Sequence, residues 1–307
     1  MSQIEYSIVV PVFCAENVLE ELHKSICQYF QKYTYEIIYI DDCSIDNSWA
    51  CLKKIKQTNT DINITIIKFN KNFGQHAATI CGFKHAKGKF VITMDDDMEV
   101  SSSEMEKLIT QQTGDNCDLV YAEYTKLNQS IFRSFFTKVY KFISKIEGKQ
   151  KGRGSSYRLL KNSLAKKVAD NHKQFVFIDE LCLWYTKKLS FVNVVVNKGI
   201  VRKTRYKMSN LFSLTGNVIM FSSTFPLKLV TQIGLGLSTV NFLLGIRFLI
   251  KKFYFKIDVP GYTSIIVSIL FSTGLIIFCI GILAQYLTQV LKAVNNSPAY
   301  YEDEVIC

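Results

Sequence analysis

Asp95, Asp96 and Asp97 are the residues of this sequence best suited to chemistry. Carboxylates two apart across a turn can hold a hard divalent cation, Mg2+ or Mn2+, and such a cation can bridge the oxygens of a diphosphate. The triplet follows Phe90-Val91-Ile92-Thr93-Met94, a short run of strand-favouring residues that reads as buried. Unpaired carboxylates cannot continue into such a core, so they must stand where the strand surfaces, at its C-terminal end. A second strand-like run, 36–40, stops in the same way at Asp41-Asp42. In a parallel sheet both ends fall on one edge, where open α/β folds bind ligands.

The surrounding pattern supplies such a sheet. Strand-like runs at 6–12, 36–40, 62–69 and 90–94 alternate with helical spacings at 16–33, around Trp49-Leu52-Ile55, and at 75–86. Alternation at this spacing predicts a largely parallel sheet with helices on both faces. The first strand is not followed by Gly-x-Gly-x-x-Gly, so a dinucleotide fingerprint is absent. Pro11-Val12-Phe13-Cys14 stands there instead and offers backbone and an aromatic ring to a base or ribose.

Composition divides the 307 residues unevenly. Residues 1–207 have the character of a globular domain, while 208–291 are strongly apolar. The net charge of +11 calls for an anionic partner, whether phosphate-bearing substrate, lipid headgroups or nucleic acid. Thirteen Lys and Arg between Lys126 and Lys173 face only Glu147 and Asp170. There, Ile131, Phe132, Phe135, Phe136, Val139, Phe142, Ile143 and Ile146 recur at helical spacing between the cations. This predicts an amphipathic helix at about 130–147 in a membrane interface, and it disfavours nucleic acid. Two apolar stretches, about 227–250 and 263–291, are long enough to span. A hairpin of two such helices would leave the tail, 292–307, on the same side as the N-terminal domain. The nine cysteines include no Cys-x-x-Cys pair and suggest no histidine partner at metal-ligand spacing, which argues against a zinc site and for a reducing compartment. The first six residues do not open a signal peptide, so the domain is expected to be cytoplasmic.

Four segments carry a family resemblance. Ser7-Ile8-Val9-Val10-Pro11-Val12-Phe13, Ile40-Asp41-Asp42-Cys43-Ser44-Ile45-Asp46, Asn70-Lys71-Asn72-Phe73-Gly74 and the stretch from Ala86 to Asp97 stand in the order and spacing of family 2 glycosyltransferases. With two apolar spans after them, the chain resembles the polyprenyl-phosphate glycosyltransferases, the group of the dolichol-phosphate mannose synthases and bactoprenol glucosyltransferases. The resemblance implies a GT-A fold, Rossmann-like and mostly parallel, with interfacial amphipathic structure and a transmembrane hairpin. It implies inverting transfer of a sugar from a nucleotide diphosphate sugar to polyprenyl phosphate, or to a lipid-linked glycan, at the cytoplasmic membrane face. A homo-oligomer is compatible with it.

By position, Pro11, Val12, Glu16 and Asp42 would line the nucleotide pocket, with Asp42 accepting from the base. Asp95, Asp96 and Asp97 would place the sugar diphosphate, and Asp95, Asp97 and Glu99 the cation. Cys14 stands where the family commonly has Asn, Cys43 where Gly is common, and Lys71 where Arg is common. On the acceptor side, Arg153 and Arg158 could grip a phosphate as forked donors. Ser156 occupies the position at which relatives carry an aspartate. Asp179 and Glu180 form an acidic pair that could serve a hydroxyl acceptor as general base; the plainer reading is a helix cap or a salt bridge to a lysine.

Overall fold

A computed structural model describes residues 4–124, 155–170, 178–195, 261–294 and 300–307, with scattered helical positions between 232 and 254. The amphipathic helix expected at 130–147, Arg153, and most of the first expected span lie outside the described residues. The chain divides into two units. Met1–Ser134, Gly152–Tyr206 and Ser297–Cys307 form one, and Phe135–Lys151 with Lys207–Asn296 forms the other.

The first unit is built as expected over its first hundred residues. Strands β1 (Tyr6–Val12), β2 (Tyr35–Asp41), β3 (Asn63–Phe69) and β4 (Phe90–Thr93) alternate with helices α1 (Leu19–Phe30), α2 (Ser48–Thr58) and α3 (Gln75–His85). After them come α4 (Met105–Asp115), β5 (Leu119–Tyr124), β6 (Arg158–Lys161), α5 (Asn162–Asp170), α6 (Ile178–Tyr185) and β7 (Leu189–Val194). The last strand, β8 (Glu302–Ile306), comes from the end of the chain.

These strands form one eight-stranded sheet in the order β7-β5-β6-β4-β1-β2-β3-β8. Its centre, β4-β1-β2-β3, is parallel. The largely parallel sheet expected from the sequence is in fact mixed: β6 runs against β4 and β5, and β8 against β3. Both reversed strands arrive by chain excursions outside the βαβ rhythm on which the expectation rested.

Side-chain alternation explains how the sheet is held. Ile8, Val10 and Val12 face one core with α1, while Val9, Ile38 and Ile40 face another with α3. Burial on both faces is why these strands read as continuous apolar runs. At the foot of β4, a Cβ on Gly88 would stand 2.7 Å from the Ser7 nitrogen, so only glycine lets this segment pass β1. That register places the end of β4 beside the end of β1.

In the second unit, α7 (Tyr262–Val294) is a continuous helix of 33 residues. Only part of its side chains are described. Over the described residues, no helix is long and apolar enough to cross a membrane. The hairpin expected from the sequence is therefore not established by the structure.

Candidate active site

Because β1, β2 and β4 are parallel, their C-terminal ends open on one edge, and the acids at those ends meet. A cavity of about 510 Å³ lies there, lined among others by Pro11, Val12, Phe13, Asp42 and the triplet Asp95, Asp96 and Asp97. Its volume falls within the usual range for a small-molecule site, roughly 300–1,000 Å³.

Each acid has a distinct setting. Asp42 is 4% exposed, and its two oxygens accept the backbone N–H groups of Phe73 at 2.7 Å and Gly74 at 2.8 Å. Burial pushes its carboxyl up, and the two amides pull it back. Each oxygen keeps a second lone pair, so a further donor can still be accepted. Gly74 sits at φ +90, a conformation that favours glycine, and this aims its N–H at Asp42. Asp96 accepts from the Phe13 N–H at 2.9 Å, tying the acidic turn to the end of β1. Glu16, expected to line the nucleotide pocket, is not among the residues lining this cavity; its carboxylate accepts from the Asn47 N–H at 2.9 Å.

Asp95 accepts from Gln75 Nε2 and from Ser156 Oγ, the latter at 2.5 Å. Burial pushes its carboxyl up to about 6; the Ser156 hydroxyl opposes this, and the neighbouring Asp97 and Asp96 add to it. Asp97 accepts the Glu99 N–H at 3.0 Å. Asp95, Asp97 and Glu99 also line a cavity of about 10 Å³, close to the room one water needs. All three are hard oxygen donors of the type that suits a divalent cation of the Mg2+ or Mn2+ class. Their ligand atoms do not all fall within 4.8 Å of one another, so the three are gathered round this space rather than converged on a point.

The acceptor-side residues fall into two places. Ser156 stands over Asp95, and its carbonyl accepts from Thr93 at the end of β4. Arg158 pairs with Thr93 across the β4–β6 ladder but is 3% exposed. Its Nη1 donates to Asp179 Oδ1 at 2.5 Å, and its Nε is buried without a partner among the described residues. The same Asp179 oxygen accepts from Tyr121 Oη at 3.0 Å. Burial works against the charge on Arg158, but Asp179 together with Tyr121, Cys182 and Asp95 outweighs it, so the guanidinium stays ionised. The structure thus gives Asp179 an arginine partner rather than a lysine, in the first turn of α6. Glu180 follows on that turn and is not among the residues lining the cavity.

Sequence reasoning missed Gln75 and Asn72, both of which line the cavity. Asn72 had a signal, since it lies inside the Asn70–Gly74 motif. Gln75 had none, because an uncharged residue at a helix start carries no chemistry by type. The two departures at Cys14 and Cys43 acquire a physical meaning: both residues lie in the left-handed region, at φ 53 and φ 57. Asn and Gly are the residues that tolerate that region best.

Comparison with known proteins agrees with this geometry. The family model described as glycosyl transferase family 2 matches residues 7–177. A prophage-derived bactoprenol glucosyl transferase of Shigella flexneri is 27% identical over 301 residues, covering 97% of each chain. A prophage bactoprenol glucosyl transferase homologue of Escherichia coli K12 is also 27% identical, covering 97% of this chain and 98% of that one. Among solved structures, glucosyl-3-phosphoglycerate synthase from Mycobacterium tuberculosis, with Mn2+ and UDP-glucose, superposes with a TM-score of 0.51 at 14% identity, over 71% of this chain and 77% of that one. The mixed sheet with its acid-lined edge is GT-A-like. The chain belongs to glycosyl transferase family 2.

Proposed function

We propose that this protein moves a sugar from a nucleotide diphosphate sugar onto polyprenyl phosphate at the cytoplasmic face of a membrane. The observation that carries the donor half is the meeting of Asp42 with Asp95, Asp96 and Asp97 around one cavity at the ends of parallel strands. The names of the bactoprenol glucosyl transferases, similar over almost the whole chain, favour the lipid acceptor.

In this reading Pro11, Val12 and Phe13 flank the nucleoside, and Asp42, fixed by Phe73 and Gly74, accepts from the base. Asp95, Asp97 and Glu99 would hold Mg2+ or Mn2+, which when bound neutralises the leaving diphosphate. The acceptor oxygen attacks the anomeric carbon from the side opposite the diphosphate, the sugar–phosphate bond breaks, and configuration inverts, as the family implies. A lipid phosphate is already anionic and requires no general base. Asp179 fits that economy, because its Oδ1 is already engaged by Arg158 and Tyr121. Its role is to hold Arg158, whose guanidinium, with Arg153, supplies positive charge for the acceptor phosphate.

The membrane half of the proposal rests on the sequence, in which two apolar stretches, about 227–250 and 263–291, have the roughly 20 residues that a span needs. Residues 263–291 carry no charged side chain.

Membranes containing the protein, supplied with polyprenyl phosphate and radiolabelled nucleotide sugars, test the reading. Metal-dependent label in an acid-labile lipid is the expected result. Label confined to a longer glycan would replace the lipid phosphate with a sugar hydroxyl as acceptor. Binding of nucleotide sugar with no transfer from any donor would make the chain a non-catalytic partner.

A further inference from the structure

Helix α3 carries Cys81 and His85 four residues apart, so both project from one helix face. Strand β8, more than two hundred residues later, brings Glu302 against them. His85 Nε2 lies 3.1 Å from Glu302 Oε1 and 3.2 Å from Oε2, and Cys81 Sγ lies 3.5 Å from Oε1. Among the described residues, this is the group of His, Cys and carboxylate whose ligand atoms all fall within 4.8 Å of one another. None of the three lines the candidate active site.

We infer that Cys81, His85 and Glu302 form a binding site for a borderline-soft divalent cation, zinc by preference, which fastens the C-terminal strand to α3. A tetrahedral ion with bonds of about 2.3 Å to sulfur and about 2.0–2.1 Å to nitrogen and oxygen holds its ligands roughly 3.3–3.7 Å apart. The observed sulfur–oxygen and nitrogen–oxygen separations already stand near those edge lengths. The donor set decides the class of ion. Thiolate and imidazole select zinc, whereas the all-oxygen group of Asp95, Asp97 and Glu99 selects Mg2+ or Mn2+, so the two sites need not compete. Cys81 is buried, while the side chains of His85 and Glu302 are 26% and 22% exposed. The open side admits the ion and leaves room for a water as fourth ligand. Burial pushes the Cys81 thiol well up, and a Tyr300 hydroxyl is hydrogen-bonded to it. Binding releases the thiol proton to solvent as the sulfur–metal bond forms. The cysteine spacing that argued against zinc passed over the step from Cys81 to His85, and no sequence pattern could have supplied Glu302.

The test uses the full chain, purified in detergent without chelator and titrated with Co2+ as a spectroscopic stand-in and with Zn2+. The expected result is a thiolate-to-cobalt charge-transfer band that saturates at about one ion per chain and is chased by zinc. The band should vanish in Cys81→Ser, and affinity should fall at least tenfold in Glu302→Gln. It should survive in Asp97→Asn. A folded wild-type chain that gives no such band would overturn the site and leave the cluster a hydrogen-bonded latch. So would a band that persists in Cys81→Ser, or one lost in Asp97→Asn. Should Cys81→Ser fail to fold, His85→Gln gives the same readout from the other helical ligand.

Discussion

At the scale of single residues, the candidate site separates acids that hold the fold from acids that the proposed function gives to the ligand. Asp97 belongs to the second group, since its carboxylate accepts from the neighbouring Glu99 N–H and, among the described residues, ties down no other element. Asp97→Asn is expected to lower kcat by about 10²–10³ while leaving the unfolding midpoint in place; near-normal turnover would remove it from the chemistry. Asp42 belongs to both groups. Asp42→Asn sets an amide NH2 against at least one of the two N–H groups it now accepts from. A loss of about 1.5–3 kcal/mol in stability is expected, along with a raised KM for the donor. Urea denaturation and donor kinetics measure the two separately. Cys43 carries a cost of a different kind. A side chain at φ 57 is strained, and Cys43→Gly should stabilise by up to about 1 kcal/mol, the relief being partly offset by a freer unfolded chain. The carboxylates of this site were legible in the sequence because acids that interrupt an apolar strand must stand where it surfaces. The backbone amides that grip Asp42 were not, since they advertise themselves only as a turn.

At the scale of elements, β8 is the strand the sequence concealed. Glu302-Asp303-Glu304-Val305-Ile306 reads as a charged tail, because Asp and Glu are poor strand formers. It pairs because it lies on the sheet edge with alternating exposure, and because Lys53 meets Glu304 at 2.9 Å. Its arrival bears on the candidate site. Tyr300, just ahead of the strand, stacks on Phe69 at 5.2 Å, and Phe69 meets Phe73 edge-on at 5.6 Å. Phe73 in turn donates its N–H to Asp42. The tail therefore buttresses the loop that fixes Asp42. An aromatic pair is worth about 0.5–1.5 kcal/mol. Tyr300→Ala should accordingly raise the donor KM by roughly two- to tenfold with kcat little changed, and Tyr300→Phe should restore it. An unchanged KM in Tyr300→Ala would mean that the loop stands without the tail.

At the scale of the whole molecule, β8 also constrains the path of the chain. Strand β7 ends at Val194 and β8 begins at Glu302, and both lie in one sheet. Everything between must leave that sheet and come back to it. If α7 crosses a membrane, the number of crossings between these strands is even. The segment between α7 and β8, residues 295–301, is far shorter than the roughly 20 residues a crossing needs. The second crossing must then fall within 195–261, where the sequence places an apolar stretch at about 227–250. Charge alone does not decide the orientation, because Lys251, Lys252 and Lys256 lie in the sequence between the two stretches. The sheet does decide that Cys307, exposed at the end of β8, shares a side with Cys43 at the rim of the candidate site. A membrane-impermeant thiol reagent, with labelled peptides read by mass spectrometry, should leave both unlabelled in intact cells. Both should become labelled in inverted vesicles. Label on Cys307 in intact cells, with Cys43 protected, would break the even count and with it the hairpin. Label on both in intact cells would keep the hairpin and place the domain on the outer face, where the proposed nucleotide-sugar donor is not supplied.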